Sequence, residues 1–114
     1  MSNHKLVVMT NATAGNEEEF NTWYNEIHLP EVVALPGFVA ATRFKLSADQ
    51  LPADVGTPNK YSYLAIYDLE CSPEEAFATL LDEVGSGRMV LPDSIDQTDM
   101  GTWAYDQIAS LVAA

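Results

Sequence analysis

The chain has 114 residues, of which 47% are hydrophobic, 17 are acidic and 5 are basic, so its formal net charge is −12 at pH 7. This length suits a single domain and leaves no room for two. The negative field repels nucleic-acid phosphates and anionic lipids, and no Lys/Arg cluster offsets it, so nucleic acid is not expected as a partner. No apolar stretch reaches the roughly 18 residues of a membrane span, so a membrane is not expected as a partner either. With a single cysteine and no signal-peptide pattern at its start, we expect the protein to be cytoplasmic.

The first strand and the first helix are predicted from residues 4 to 31. His4 to Thr10 is an apolar run of strand length. We expect the side chain of Asn16 to cap a helix, with Glu19 reaching back to the backbone of the cap. Because Pro30 disfavours helical geometry in the residue before it, the helix should end near His28. Its apolar side, at offsets 0, 3, 4 and 7, consists of Phe20, Trp23, Tyr24 and Ile27.

Two strands separated by a long connection follow. Pro36-Gly37 is a strong turn signal, and residues Phe38 to Leu46 then favour a strand. Residues 47–60 hold two prolines, a glycine and little hydrophobicity, so we expect an exposed connection. The run Tyr61 to Leu69 is rich in aromatic and aliphatic residues and is the clearest strand of the chain.

The last third predicts a helix, a loop and a strand. Ser72, with proline next and Glu75 three positions on, has the pattern of a capping box, and the helix should run to about Val84. A loop from Ser86 to Gly101 and a strand from Thr102 to Ile108 complete a βαββαβ order. The apolar side of this helix is predicted to be Phe77, Leu80, Leu81 and Val84.

A βαββαβ unit folds most simply as an α+β, ferredoxin-like domain, in which two helices cover one face of a four-stranded antiparallel sheet. The strands are apolar on both sides, so the second face also needs cover, and the simplest cover is the same face of a second copy. We expect Tyr61, Tyr63 and Tyr67, which share one side of their strand, at that buried surface between subunits. The alternative is that these tyrosines keep their hydroxyls in water at a partly apolar surface.

His28 is the residue best suited to chemistry. The sequence contains no zinc spacing, phosphate-binding glycine loop, dinucleotide fingerprint or nucleophile elbow. His28 follows Tyr24 by four positions and should face inward, next to Trp23 and Asn25. The predicted helix end at this point would favour the imidazolium and hold the pKa of His28 near the range useful for proton transfer at neutral pH. The alternative is a histidine that only caps the last carbonyls or packs at the helix edge.

Nearly the whole chain resembles the EthD-like branch of the dimeric α/β-barrel superfamily, so residues 1–114 are expected to form one domain of that type. The resemblance implies a ferredoxin-like fold, a homodimer formed by packing of the sheets, and a ligand cleft between sheet and helices. Members of the superfamily include cofactor-free isomerases, polyketide cyclases, lyases and monooxygenases, as well as haem-degrading and accessory proteins. The resemblance also implies an acid–base role for His28. The matching residues are Glu19-Phe20-Asn21-x-Trp23-Tyr24-x-x-x-His28-Leu29-Pro30-Glu31, Pro36-Gly37-Phe38 and Arg43-Phe44.

Our leading hypothesis is a homodimeric lyase, isomerase or cyclase that needs no metal or other cofactor and acts on a mainly apolar or aromatic organic metabolite. His28 and Tyr24 are the candidate catalytic residues. The alternatives are a non-catalytic ligand-binding or accessory protein of a degradation pathway, and a cofactor-free monooxygenase. For Arg43, pairing with a carboxylate is the alternative to holding substrate. The candidate substrate-binding residues are Trp23, Arg43, Tyr63 and Trp103.

Overall fold

The computed structural model describes residues 3–114, and its elements follow the predicted βαββαβ order. Within these residues no helix is both long enough and apolar enough to cross a membrane. The strands are β1 (His4–Thr10), β2 (Phe38–Lys45), β3 (Tyr63–Leu69) and β4 (Gly101–Asp106), and the helices are α1 (Glu17–Trp23), α2 (Leu29–Val33) and α3 (Pro73–Gly85), with a π-helical turn (Tyr24–His28) between α1 and α2.

The four strands form one antiparallel sheet in the order β2-β3-β1-β4. The central strands β3 and β1 are therefore neighbours although a whole helical segment and a strand separate them in the chain. Both helical segments lie on one face of this sheet, so the predicted ferredoxin-like α+β fold is confirmed. The core between sheet and helices is built from residues such as Leu6, Phe20, Tyr67 and Leu69, each at most 2% exposed.

The first helix begins at Glu17, as predicted, but without the predicted side-chain cap. The amide of Asn16 donates a hydrogen bond to the hydroxyl of Thr13 (2.7 Å) instead of accepting one from the helix. Three successive glutamates occupy the first turn, where their charge complements the positive end of the helix dipole. The prediction of a capping box at Asn16 is therefore wrong.

The first helical segment does not end near His28, and this prediction is also wrong. A π-helical turn follows α1, in which the N–H of Leu29 reaches back five residues to the carbonyl of Tyr24, and α2 then continues to Val33. Pro30 lies in the first turn of α2, where its missing N–H is tolerated. Because each residue of a π-turn rotates less about the axis, Ile27 leaves the predicted apolar side and is 55% exposed.

Helix α3 has the predicted start, and the four residues of its predicted apolar side all line a cavity over the sheet, although they are only partly buried. The Ser72 hydroxyl accepts from the backbone N–H of Glu75, and the Glu75 carboxylate accepts in return, which confirms the capping box. Ala76 is the fully buried residue of the helix, whereas Leu81 is 73% and Val84 is 54% exposed. Half of the predicted apolar side is thus open to solvent.

The tyrosines of β3 lie under the helices and not at the opposite face of the sheet. Tyr63 and Tyr67 are 4% and 2% exposed within the single chain, so their predicted place at a surface between subunits is wrong. Tyr61 precedes β3 and donates a hydrogen bond to Asp99 (2.7 Å). The strand register places a second, uncovered apolar group on the other face of the sheet: Val7, Met9, Phe44, Leu64, Ile66, Trp103 and Tyr105.

A type II turn connects α2 to β2 and provides a test of the fold. The N–H of Phe38 donates to the carbonyl of Leu35 (3.2 Å), and Gly37 has a φ of +85°. An alanine Cβ at Gly37 would lie 2.7 Å from the Cβ of Cys71 and would also meet its sulfur. We expect Gly37→Ala to lower the free energy of unfolding by about 2–4 kcal/mol, from backbone strain plus overpacking.

Gly15→Ala is the matched control, because Gly15 has nearly the same φ (+81°) with no atom within 4 Å of the added Cβ. It should lose only the strain contribution, about 1 kcal/mol. Urea denaturation of both variants measures the difference. Equal losses would contradict the contact with Cys71.

Candidate active site

A cavity of about 390 Å³ lies between the sheet and the helices. Its floor is formed by β1, and α3 and the loop between α3 and β4 form much of its wall. Backbone hydrogen bonds from Thr13 to Ser94 (2.8 Å) and from Asp96 to Asn11 (2.9 Å) hold that loop against the end of β1. The lining residues are Leu6, Val8, Thr10, Tyr24, His28, Val32, Tyr67, Phe77, Leu80, Leu81, Val84, Met89, Leu91, Ile95, Met100 and Thr102.

The cavity wall is nearly uncharged although the protein carries a net charge of −12. Among the lining residues none is Asp, Glu, Lys or Arg. The polar groups are the side chains of two threonines, Tyr24, Tyr67 and His28. A ligand with a net charge would lose its hydration here without gaining a counterion, so the wall suits a neutral, mainly apolar molecule.

His28 is held in place by contacts on three sides. Its side chain is 12% exposed, and its Nδ1 lies 2.9 Å from a carboxylate oxygen of Glu31, in the next turn. The indole of Trp23 stacks on the imidazole at 4.6 Å, and the ring of Tyr24 meets it edge-on at 4.9 Å. Because the π-turn lengthens the helical repeat, residues four and five positions before His28 both reach its ring. The prediction that His28 faces inward is confirmed.

The Glu31 contact determines which nitrogen of His28 can act as a base. A carboxylate can only accept, so in the neutral ring Nδ1 carries the proton and Nε2 keeps its lone pair. Burial lowers the pKa of His28 below its usual 6.5, and Arg43 adds to this, whereas the hydrogen bond and charge of Glu31 oppose it. The predicted influence of a helix end is absent because the helical segment continues to Val33. At neutral pH the imidazole is therefore the uncharged, basic form.

This environment gives a measurable titration. We expect the midpoint for His28, followed by NMR of its ring Cε1–H, to lie below 6.5 because burial disfavours the imidazolium. The chain has 2 histidines, so His4→Gln leaves one signal and makes the assignment certain. Glu31→Gln removes an interaction that favours the charged ring and should lower the midpoint further. A midpoint above 6.5, or one that rises in Glu31→Gln, would contradict this account.

The same shift affects stability. Below pH 6.5 the unfolded chain protonates His28 more readily than the folded chain, so the free energy of unfolding falls as the pH falls from 6.5 toward the folded pKa. His28→Asn lacks this contribution and should show a flatter pH dependence over that window.

Tyr24 and Tyr67 form a hydroxyl pair at the cavity wall. The Tyr67 hydroxyl donates to the Tyr24 oxygen (3.3 Å), which leaves the Tyr24 proton free for another acceptor. Burial raises the pKa of Tyr24, while the Tyr67 hydrogen bond and Arg43 lower it, and burial also raises the pKa of Tyr67. Both phenols stay protonated at neutral pH and are hydrogen-bond donors.

Arg43 lies behind Tyr24 and not in the cavity. Its guanidinium carbon is 4.3 Å from the centre of the Tyr24 ring, and its terminal nitrogens donate to the amide oxygens of Asn25 (2.8 Å) and Asn21 (2.9 Å). Burial lowers the pKa of this guanidinium. In the described part of the chain no carboxylate pairs with it, so the alternative prediction of such a pair is wrong.

The structure brings only some of the predicted site residues together. His28 and Tyr24 line the cavity, whereas Trp23 stacks on the ring of His28 and is not itself among the lining residues. Tyr63 is buried beside Arg43, with its hydroxyl donating to Glu17 (2.9 Å). Trp103 lies on the uncovered face of the sheet, 45% exposed, and is absent from the cavity wall.

Two residues of the site escaped the sequence analysis. Glu31 stands three positions after His28, a spacing that places two side chains together on a helix, but the helix was predicted to end before it. Tyr67 was correctly predicted to share one side of β3 with Tyr63. That side was assigned to the surface between subunits and not to the helices, so Tyr67 was not predicted at the cavity.

Comparison with known proteins shows the fold. No protein-family model matches the chain, and no curated protein does. Among solved structures, an ethyl tert-butyl ether D (EthD) family protein from Bacillus halodurans C-125 matches with a TM-score of 0.60 and 14% identity, over 95% of this chain and 100% of that one. HapK from Hahella chejuensis matches with 0.54 and 13%, over 97% and 98%.

A protein from Shewanella loihica PV-4, provisionally assigned as a monooxygenase, matches with a TM-score of 0.52 and 19% identity, over 96% of this chain and 99% of that one. At such identities the likeness establishes the fold alone. The resemblance to EthD-like proteins found in the sequence is confirmed at that level, over nearly the whole chain.

Proposed function

We propose that this chain, which has the fold of the EthD-like proteins, is a small enzyme that uses His28 as general acid–base on a neutral, mainly apolar or aromatic substrate. One observation carries the proposal: a buried imidazole, oriented by Glu31, stands in the wall of a cavity of about 390 Å³ that holds no formal charge. The site matches a substrate that binds by its apolar surface and reacts by losing a proton.

In the proposed mechanism Nε2 of His28 takes a proton from a carbon acid of the substrate. The electron pair of the broken C–H bond moves toward an adjacent carbonyl oxygen, which gains negative charge. The free hydroxyl proton of Tyr24 is the donor proposed for that oxygen, and the bond from Tyr67 increases its donor strength. The imidazolium then returns the proton elsewhere on the substrate or on a leaving group, which gives isomerisation, cyclisation or lysis.

The proposal includes a homodimer formed by the uncovered sheet faces. Each face exposes Phe44 (49%), Trp103 (45%) and Tyr105 (56%) around the central residues Leu64 and Ile66. A contiguous apolar face of this kind marks an interaction site, and a two-fold axis would pair it with itself. The cavity lies on the other side of the sheet and would stay open in such a dimer.

Two other functions stay open for specific reasons. A cofactor-free monooxygenase is favoured by the electron-rich indole of Trp23 stacked on His28, and by the Shewanella protein with this fold. A non-catalytic ligand-binding or accessory protein is favoured by the apolar cavity, which could hold a ligand without any proton transfer by His28. Oxygen uptake together with substrate loss identifies the first, and saturable binding without turnover identifies the second.

The experiment that tests the proposal begins with the ligand. Small molecules extracted from freshly purified protein are identified by mass spectrometry, and neutral aryl ketones and lactones are screened for deuterium exchange of acidic C–H bonds in D₂O. Exchange that wild type accelerates and His28→Gln does not would support acid–base chemistry. Equal acceleration by both proteins would remove His28 from the mechanism.

A further inference from the structure

Two cations lie together on strand β2 without a carboxylate partner. Among residues 3–114 the other lysines and arginine pair with acids: Lys5 with Asp68, Lys60 with Asp99, and Arg88 with Asp82 and Glu83. Arg43 and Lys45 are the exceptions, in a chain with 17 acidic residues to choose from. They stand two positions apart on a strand, so both side chains project from the same face, about 7 Å apart along the strand.

Both cations line a second hollow of about 320 Å³, which is separate from the main cavity. The ring of Tyr24 stands between the two sites, because it lines the main cavity and carries the Arg43 guanidinium on its face. The hollow lies at the edge strand β2, and three of its lining residues, Asn25, Phe44 and Lys45, are exposed to solvent. Its lining residues are Asn21, Asn25, Arg43, Phe44, Lys45 and Tyr63.

The hollow has unused donors and few unused acceptors. Each terminal nitrogen of Arg43 donates one N–H to an asparagine oxygen and keeps a second N–H for a ligand. The Nε also has no partner in the described structure, but it is buried and does not face the hollow's solvent. The Tyr63 hydroxyl accepts from Asn21 (3.2 Å) and donates to Glu17. Lys45 adds an ammonium group with three donors. A ligand must therefore supply acceptor atoms and negative charge.

We infer that this hollow binds a small oxyanion, a carboxylate or phosphate group, between the Arg43 guanidinium and the Lys45 ammonium. An edge strand often carries a lysine that discourages pairing and needs no partner. Lys45 differs from such a lysine because it shares its hollow with a second cation, Arg43. Two asparagines and three aromatic rings already fix the orientation of the Arg43 guanidinium. A planar oxyanion matches such a pre-oriented guanidinium, and this inference is independent of the proposed function.

The test is a titration of ¹⁵N-labelled protein with inorganic phosphate and, separately, with sodium acetate, at pH 7 and constant ionic strength. The probes are the Arg43 Nε–H and the Asn21 and Asn25 amide signals. We expect saturable shifts with at least one anion, against the repulsion of the overall charge of −12. Lys45→Gln should weaken binding at least fivefold. Saturation by phosphate alone indicates a phosphorylated ligand, and saturation by acetate alone a carboxylate.

Arg88→Gln is the matched control, since it makes the same change in net charge at a cation already paired with Asp82 and Glu83. Its affinity should stay within twofold of wild type. Arg43→Lys keeps the charge and loses the fork of donors, so it should bind more weakly than wild type, and circular dichroism verifies its fold. No saturable shift with either anion, or equal weakening by Arg88→Gln and Lys45→Gln, would overturn the inference.

Discussion

His28→Gln is expected to lower kcat/KM by about 10²–10⁴-fold while the protein stays folded, because one placed acid–base group contributes rate enhancement of that size. Glutamine keeps the approximate volume and hydrogen-bonding capacity of the ring but cannot exchange a proton at neutral pH. The measurement is kcat/KM for the substrate identified from the purified protein or the exchange screen, with the fold verified by circular dichroism.

Two further variants separate proton transfer from packing. His4→Gln removes the other histidine, which pairs with Asp106 at the outer end of β1 (2.7 Å), and should leave kcat/KM unchanged. Glu31→Gln keeps the imidazole and loses the carboxylate that determines its tautomer, so turnover should fall about tenfold or more. A His28→Gln protein with full activity would refute the mechanism. Saturable binding by wild type without turnover would instead favour the binding-protein alternative.

Trp103→Glu is expected to convert a dimer of about 25 kDa, twice the chain mass of 12.5 kDa, into a monomer. Trp103 is the largest side chain on the uncovered sheet face, and loss of a large aromatic anchor costs about 2–4 kcal/mol of binding free energy, before the cost of burying a new carboxylate. Since Trp103 is 45% exposed in the single chain, the monomer should tolerate the change. Sedimentation equilibrium at micromolar concentration measures the shift.

Val90→Glu provides the comparison for this experiment. Val90 is 69% exposed and lies in the loop before β4, between Met89 and Leu91, which line the cavity on the other side of the sheet, so the same added charge should leave the association unchanged. If wild type is a monomer at these concentrations, or if Val90→Glu dissociates the dimer as readily as Trp103→Glu does, the sheet-to-sheet dimer is refuted. The cavity and the role of His28 would stand in either case.

The site depends on a local departure from regular helix geometry. Trp23, Tyr24 and Glu31 converge on His28 because a π-turn precedes α2 and the helical segment passes through Pro30. Such turns insert a single residue into a helix and occur frequently at functional sites. The spacing of apolar residues predicted a regular helix here, and it therefore predicted correctly that His28 faces inward and wrongly that Ile27 is buried.

Local chemistry in the sequence determined the order and type of the elements, the capping box at Ser72, the turn at Gly37 and the inward position of His28, because each depends on neighbours within a few residues. The tertiary structure alone decided which face of β3 the helices cover. Alternation along a strand shows which side chains share a face, but both faces are apolar here, so the pattern could not place Tyr63 and Tyr67 inside. Long-range packing likewise decided that Arg43 lies against Tyr24 and two asparagines, with no carboxylate beside it.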